Sequence, residues 1–139
     1  MAISADLELQ GLIVETLQAD PTIITFVGDR VFDRVENMNP DVQFPYVNFA
    51  ASTEIEDDAD CILGSNIFVQ IDVWSREPGF PECKKIAAAV RDALHDRDLQ
   101  LSENALAQLM CQRIRIFRDG DGLTSHGVVE FEALVERRP

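Results

Sequence analysis

NIFVQIDVWS, residues 66–75, alternates strictly between two faces. Ile67, Val69, Ile71 and Val73 point one way, while Phe68, Gln70, Asp72 and Trp74 point the other. FPYVNF (Phe44–Phe49) and GVVEFEALVE (Gly127–Glu136) carry the same period of two. That spacing belongs to half-buried strands of an antiparallel sheet, with one face on a core and the other facing something else. No nucleophile, metal-ligand cluster or phosphate-cradling glycine loop accompanies these strands. The chain builds a surface.

Helical spacing frames the strands on either side. Ser4 is placed to cap a first helix whose Leu9, Leu12, Ile13 and Leu17 recur every three or four residues. Pro21 ends it, because a proline disfavours helical geometry in the residue before it. A short helical turn is expected around Thr22–Val27, then a strand over Arg30–Val35 and a loop over Glu36–Phe44. Strands at Tyr46–Thr53 and Asn66–Ser75 follow, joined by a long connection, Glu54–Gly64. Pro81 suits the first turn of a second long helix, on which Cys83, Ile86, Ala87, Val90 and Leu94 form an apolar stripe. Ala87, Ala88 and Ala89 let that helix lie close on a sheet. A short edge segment at Leu99–Leu101 is expected, then a hairpin of Met110–Arg118 and Val128–Arg137 around Asp119–Ser125. The predicted fold is α+β, a mainly antiparallel sheet of four to five strands against two helices, in the order α-β-β-β-α-β-β.

Length and composition bound what such a fold can be. At 139 residues one domain, 1–139, is expected. A chain of this size buries about two thirds of its unfolded surface, so it needs no disulfide or metal staple. No apolar run reaches the roughly 20 residues of a membrane helix. MAISADLELQ lacks a basic region, so a signal peptide is not expected. Cys61, Cys83 and Cys111 are widely spaced and read as buried or half-buried free thiols. His95 falls at a helix end, where it offsets the dipole, and His126 beside a turn. Neither makes a nucleophile with a cysteine.

A net charge of −13, from 25 acids against 12 bases, repels nucleic acid and weighs against sequence-specific DNA binding. The charges are segregated. Glu54, Glu56, Asp57, Asp58 and Asp60 share one stretch, while Arg113, Arg115 and Arg118 gather near the C-terminal hairpin.

Taken in order, VGDRVFDRV (27–35), FPYVNF (44–49), QIDVWSR (70–76), KKIAAAVRDALHD (84–96) and FRDGDGLTSHGVVEFEALVE (117–136) span most of the chain. Together they resemble the tail-completion, or tail-terminator, family of long-tailed bacteriophages and gene transfer agents. The resemblance implies a structural virion protein of the tail or neck, assembled in the host cytoplasm. Its ring, sixfold in the family, caps the head-proximal end of the tail tube, stops polymerisation and docks the head-side connector. It implies no enzyme, catalytic residue, cofactor or membrane contact. Its partners are further copies of itself, the tube protein and the connector, with DNA passing through the lumen without specific binding. A neck connector or adaptor of similar size fits the same residues.

Two features invite a metal or enzyme reading. The acidic stretch from Glu54 to Asp60 offers oxygen ligands, as divalent cation sites do, although charge runs are usually solvated. Asp119-Gly120-Asp121-Gly122, with Glu130 eleven residues after Asp119, echoes an EF-hand loop. It departs from one where Leu123 takes a ligand position and Thr124 replaces the required glycine, and its flanks read as strands. A glycine-rich hairpin turn is expected there, and no metal.

Three side-chain placements are also expected. If the turn centres between Gly122 and Leu123, Arg115 faces Glu130 and Arg113 faces Glu132 across the hairpin. Trp74 either packs under a helix or anchors a subunit contact. Glu54, Glu56, Asp57, Asp58 and Asp60 line or approach the lumen of the ring, or lie on an outer loop kept soluble by charge.

Overall fold

The computed structural model describes residues 3–33 and 41–138. Among these, α1 (Ala5–Ala19), α2 (Pro21–Val27) and α3 (Pro81–Leu94) accompany β1 (Val31–Phe32), β2 (Tyr46–Glu56), β3 (Gly64–Ser75), β4 (Ala105–Arg118) and β5 (Ser125–Glu136). The strands form one sheet in the order β1-β2-β3-β5-β4. All neighbours are antiparallel except β1, which runs parallel to β2. The fold is α+β, as its periodicities imply.

Ser4 caps α1 by accepting from the Leu7 N–H at 3.1 Å. Asp20 ends α1 and begins α2, its carboxylate accepting from the Ile23 N–H at 3.0 Å. Pro21 occupies the first turn of α2 and Gly28, at φ 61°, closes it. What reads as a helical turn in sequence is therefore a third helix of seven residues. The local cap chemistry at Asp20 and Gly28 makes it.

α1 and α3 cover one face of the sheet, and α2 packs against both of them. Ala5, Leu9, Ile13 and Leu17 of α1 and Cys83, Ile86, Ala87, Val90 and Leu94 of α3 are buried against Ile67, Val69, Ile71 and Val73 of β3. From β5, Val129, Phe131, Ala133 and Val135 join the same cluster. Each leucine, isoleucine, valine or phenylalanine among them contributes roughly 1.5–3 kcal/mol by leaving water. Gly127 allows α3 to approach: a Cβ there would lie 3.1 Å from Cys83 Sγ and 3.2 Å from Ile116 Cδ1.

Boundaries depart from the sequence reading in several places. β1 is two residues long, and of the expected Arg30–Val35 strand, Arg34 and Val35 lie outside the described residues, as do 36–40 of the expected loop. Leu99–Leu101 forms no strand; Leu99 and Leu101 pack on the core from an irregular connection. The hairpin arms are longer than expected because β4 begins at Ala105, with bulges between Leu106 and Gln108 and between Cys111 and Arg113. These bulges break the period of two that would have revealed the strand. The Glu54–Gly64 connection is partly strand: Glu54 pairs with Ile67 and Glu56 with Ser65, which leaves residues 57–63 as the loop.

Candidate functional site

The face of the sheet turned away from the helices is the surface this chain displays. At one end an aromatic row crosses it. Tyr46, Trp74, His126 and Phe117 are consecutive partners from β2 to β3 to β5 to β4. Trp74 stacks on His126 with centroids 3.8 Å apart and planes 13° from parallel, and Tyr46 lies 6.2 Å from Trp74 on its other side. The Trp74 indole N–H donates to Asn48 Oδ1 at 2.8 Å, so the half-buried ring has its polar edge satisfied. His126 Nε2 lies 3.0 Å from Asp72 Oδ1 without hydrogen-bond geometry. Guanidinium groups flank the row, Arg76 over Phe44 at 4.1 Å and Arg115 over Phe117 at 5.2 Å. Trp74 is thus neither under a helix nor bare. It packs within the open face.

In the middle of this face Arg113 grips Glu130 bidentately, Nε to Oε2 at 2.8 Å and Nη2 to Oε1 at 3.0 Å. The Arg113 hydrogen bonds hold the Glu130 carboxyl below its ordinary range, against a smaller opposing effect of burial. The cross-strand expectation is corrected by one step. Arg113 faces Glu130, Arg115 faces Val128, and Glu132 faces Met110. The cause is in the turn. The Asp119 N–H bonds the Thr124 carbonyl at 2.7 Å, closing a loop over 119–124 whose centre lies between Asp121 and Gly122. Asp121 sets that loop, accepting from the N–H of Leu123 and Thr124 and from the Thr124 hydroxyl at 2.7–2.9 Å. Those bonds, the hydroxyl's first, lower its pKa to about 2. The Asp121 carboxylate is therefore spent on its own turn, and that of Glu130 on Arg113.

At the far end, the β2–β3 hairpin carries the acidic residues. Glu54 accepts from Ser65 Oγ at 2.6 Å, and Arg137 pairs with Asp58 and lies 3.8 Å from Glu56 Oε1. Asp58 also accepts from the Gly64 N–H at 3.0 Å, and a bridge joins Ala59 to Ile62. Asp57 and Asp60 make no ion pair among the described residues. Ile55, Ile62 and Leu63 are exposed among these carboxylates. The five acids are brought to one end of one hairpin, but not around one point: among the described residues no group of three or more His, Cys, Asp or Glu is placed to hold a metal ion.

The cysteines are free; Cys83 is buried and Cys111 half-buried as expected, whereas Cys61 is exposed, at a positive φ of 62° in the hairpin loop. Burial pushes the Cys83 thiol up to about 11 and also raises Cys111, so neither is a ready thiolate. His95 ends α3, and its Nδ1 accepts from the Cys111 N–H at 2.8 Å. Among the described residues no helix is long and apolar enough to cross a membrane.

Sequence reasoning did not find the Glu8 clamp. Glu8 on α1 accepts from Ser102 Oγ, the Glu103 N–H and the Asn104 N–H, all at 2.8–2.9 Å. Asn104, 2% exposed, passes the link to Ile3 O and the Arg138 N–H. No local motif announces contacts across more than ninety residues.

Comparison with known proteins gives two findings. The family described as "Tail completion protein gp17" matches residues 11–136. A chain of a solved structure titled "Virion of native gene transfer agent (GTA) particle" superposes with a TM-score of 0.86 and 27% identity, over 97% of this chain and 99% of that one. No curated protein matches.

Proposed function

The chain belongs to the tail completion protein gp17 family, and from that membership we propose that it forms a ring closing the head-proximal end of a virion tail. It is a structural protein of the tail or neck, and it needs no catalytic residue or cofactor to act. The single domain, residues 1–139, is the unit of assembly, and the ring is a hexamer. One face of the ring meets the last layer of the tail tube protein and stops its growth. The other receives the head-side connector, and DNA passes between them.

The observation that carries this reading is the match to a virion chain over nearly the full length of both proteins. The physical features agree with it. A ring uses a head-to-tail contact between two different patches of each subunit. This sheet has two unlike ends, one aromatic with flanking arginines on its open face and one acidic at the β2–β3 hairpin. The acids Glu54, Glu56, Asp57, Asp58 and Asp60 approach the lumen, where carboxylates let a polyanion pass without gripping it.

The test mixes purified protein with tail tubes grown from tube subunits and follows them by negative-stain imaging. Rings of uniform size at one tube end, with elongation stopped there, are expected. Tubes that keep growing while the protein binds portal-side complexes would assign it to the connector side instead.

A further inference from the structure

We propose that neighbouring copies in the ring join through their sheet edges: the outer edge of β4 in one copy pairs antiparallel with the distal outer edge of β2 in the next. The proposal rests on the ring reading and deepens it by naming the contact.

Both edges are open among the described residues, and they match in length. β1 pairs only with Val47 and Asn48, so β2 from Ala51 to Glu56 has no strand on its outer side. On β4, the stretch after its second bulge, Arg113–Arg118, is equally regular and equally long. Each is six residues. Elsewhere the edges are interrupted, by β1 on β2 and by bulges on β4. An uncovered strand edge of this length is a template for another chain, and natural proteins seldom leave one bare without reason.

The backbone directions also match. The Asp57 N–H points inward to Gly64 O, so alternation sends the N–H groups of Ser52, Glu54 and Glu56 outward. The Asp119 N–H points inward to Thr124 O, which sends those of Ile114, Ile116 and Arg118 outward. Side chains agree with this parity. Glu54 shares the helix-side face with its partner Ile67, and Ile114 shares it with Val129. Opposite residues of an antiparallel pair must share a face, and these do.

One register satisfies both edges without running into β1: Ser52 opposite Arg118, Glu54 opposite Ile116 and Glu56 opposite Ile114. It places Arg118 diagonal to Glu54 and Arg113 beside Asp57. Charge favours it, since Ala105–Arg118 holds three arginines and no acid, while Tyr46–Glu56 holds two glutamates and no base. Relative to the rows inside one subunit, this register staggers each copy by about six residues, or ~20 Å. Across four long strands at about 4.8 Å spacing, that is a tilt of roughly 45°, within reach of the tilts closed sheets adopt.

Disulfide trapping tests the register. Ile55 and Arg115 are both exposed, stand opposite each other in the proposed pair, and are three strands apart within one chain. In a Cys61→Ser, Cys111→Ser background, Ile55→Cys with Arg115→Cys should give a ladder of covalent oligomers on mild oxidation, ending at the ring and lost on reduction. Either cysteine alone should give no ladder. Separately, Glu54→Pro removes an outward N–H at an exposed site. It should shift sedimentation from ring to monomer with the far-ultraviolet circular dichroism unchanged. Rings that persist in folded Glu54→Pro, or fail to crosslink in the double-cysteine variant, would overturn the edge pairing and leave the ring standing. A parent protein that forms no ring with or without tubes would sink both.

Discussion

Trp74 lies flat on His126, joining β3 to β5 through ring centroids 3.8 Å apart. The pair is the centre of the aromatic row, and its indole N–H is held by Asn48 on β2, so one side chain ties three strands. Trp74→Ala would remove the stack and the hydrogen bond while leaving the helix-side core intact. Because Trp74 is half-buried, the loss should be about 2 kcal/mol in urea unfolding, below a full core deletion. A variant of parental stability that no longer assembles would instead make Trp74 a subunit anchor.

Gly127 offers a test of the opposite face. Its missing side chain is the room in which α3 meets the sheet: a Cβ at this position would stand within 3.1–3.3 Å of Cys83 Sγ, Ile116 Cδ1 and Val73 Cβ. Cys83 and Val73 are fully buried, so neither is free to swing away. Gly127→Ala should cost about 1–3 kcal/mol through overpacking, read as a lower urea midpoint with an unchanged slope. A stability equal to the parent would show that α3 can shift outward freely.

Acid should weaken the fold through three carboxylates. Burial, the largest single effect, pushes Glu8 up, but hydrogen bonds from the Asn104 and Glu103 N–H groups and from the Ser102 and Asn104 side chains together outweigh it and hold Glu8 below its ordinary value. Thr124 and Leu123 hold Asp121 at about 2, and Arg113 lowers Glu130. A carboxyl depressed in the folded state contributes stability above its unfolded value, about 4, and loses it as the pH falls through the folded one. Stability should therefore decline from about pH 4 toward about pH 2. Asp121→Asn should flatten the lower part of that decline, and an unchanged profile would show that solvent screens the turn completely.

Periodicity makes the central strands legible, because Ile67, Val69, Ile71 and Val73 bury on one face and every second residue tells the same story. β4 is half hidden. Its bulges at 107 and 112 reset the alternation, so Ala105–Leu109 reads as neither strand nor helix from spacing alone. The hairpin register differs from expectation by one pairing step for a similar reason. A glycine pair suggests a tight turn, whereas Asp121 organises a six-residue loop through its own side chain. The acidic cluster is visible as composition, but that Glu54 and Glu56 are strand residues, one bonded to Ser65 and one near Arg137, depends on pairing with β3 that no local signal fixes.

The acidic hairpin carries the last prediction. Glu54, Glu56, Asp57, Asp58 and Asp60 are all exposed at one end of the sheet, and among the described residues only Arg137 pairs with any of them. Five carboxylates on each copy of a ring would surround a channel with like charge, so DNA phosphates would be repelled from the wall rather than bound. Replacing all five by Asn or Gln should leave folding intact, because none is in the core. Ring formation should persist, weakened through the lost Arg113–Asp57 and Arg118–Glu54 attraction if edges pair as proposed. Particles carrying the variant should then assemble in near-parental number but deliver DNA poorly, measured as infectious or transducing titre per DNA-filled particle. Parental delivery per particle, or a map placing this hairpin on the outer rim, would remove the acids from the lumen and leave them a solvated tip.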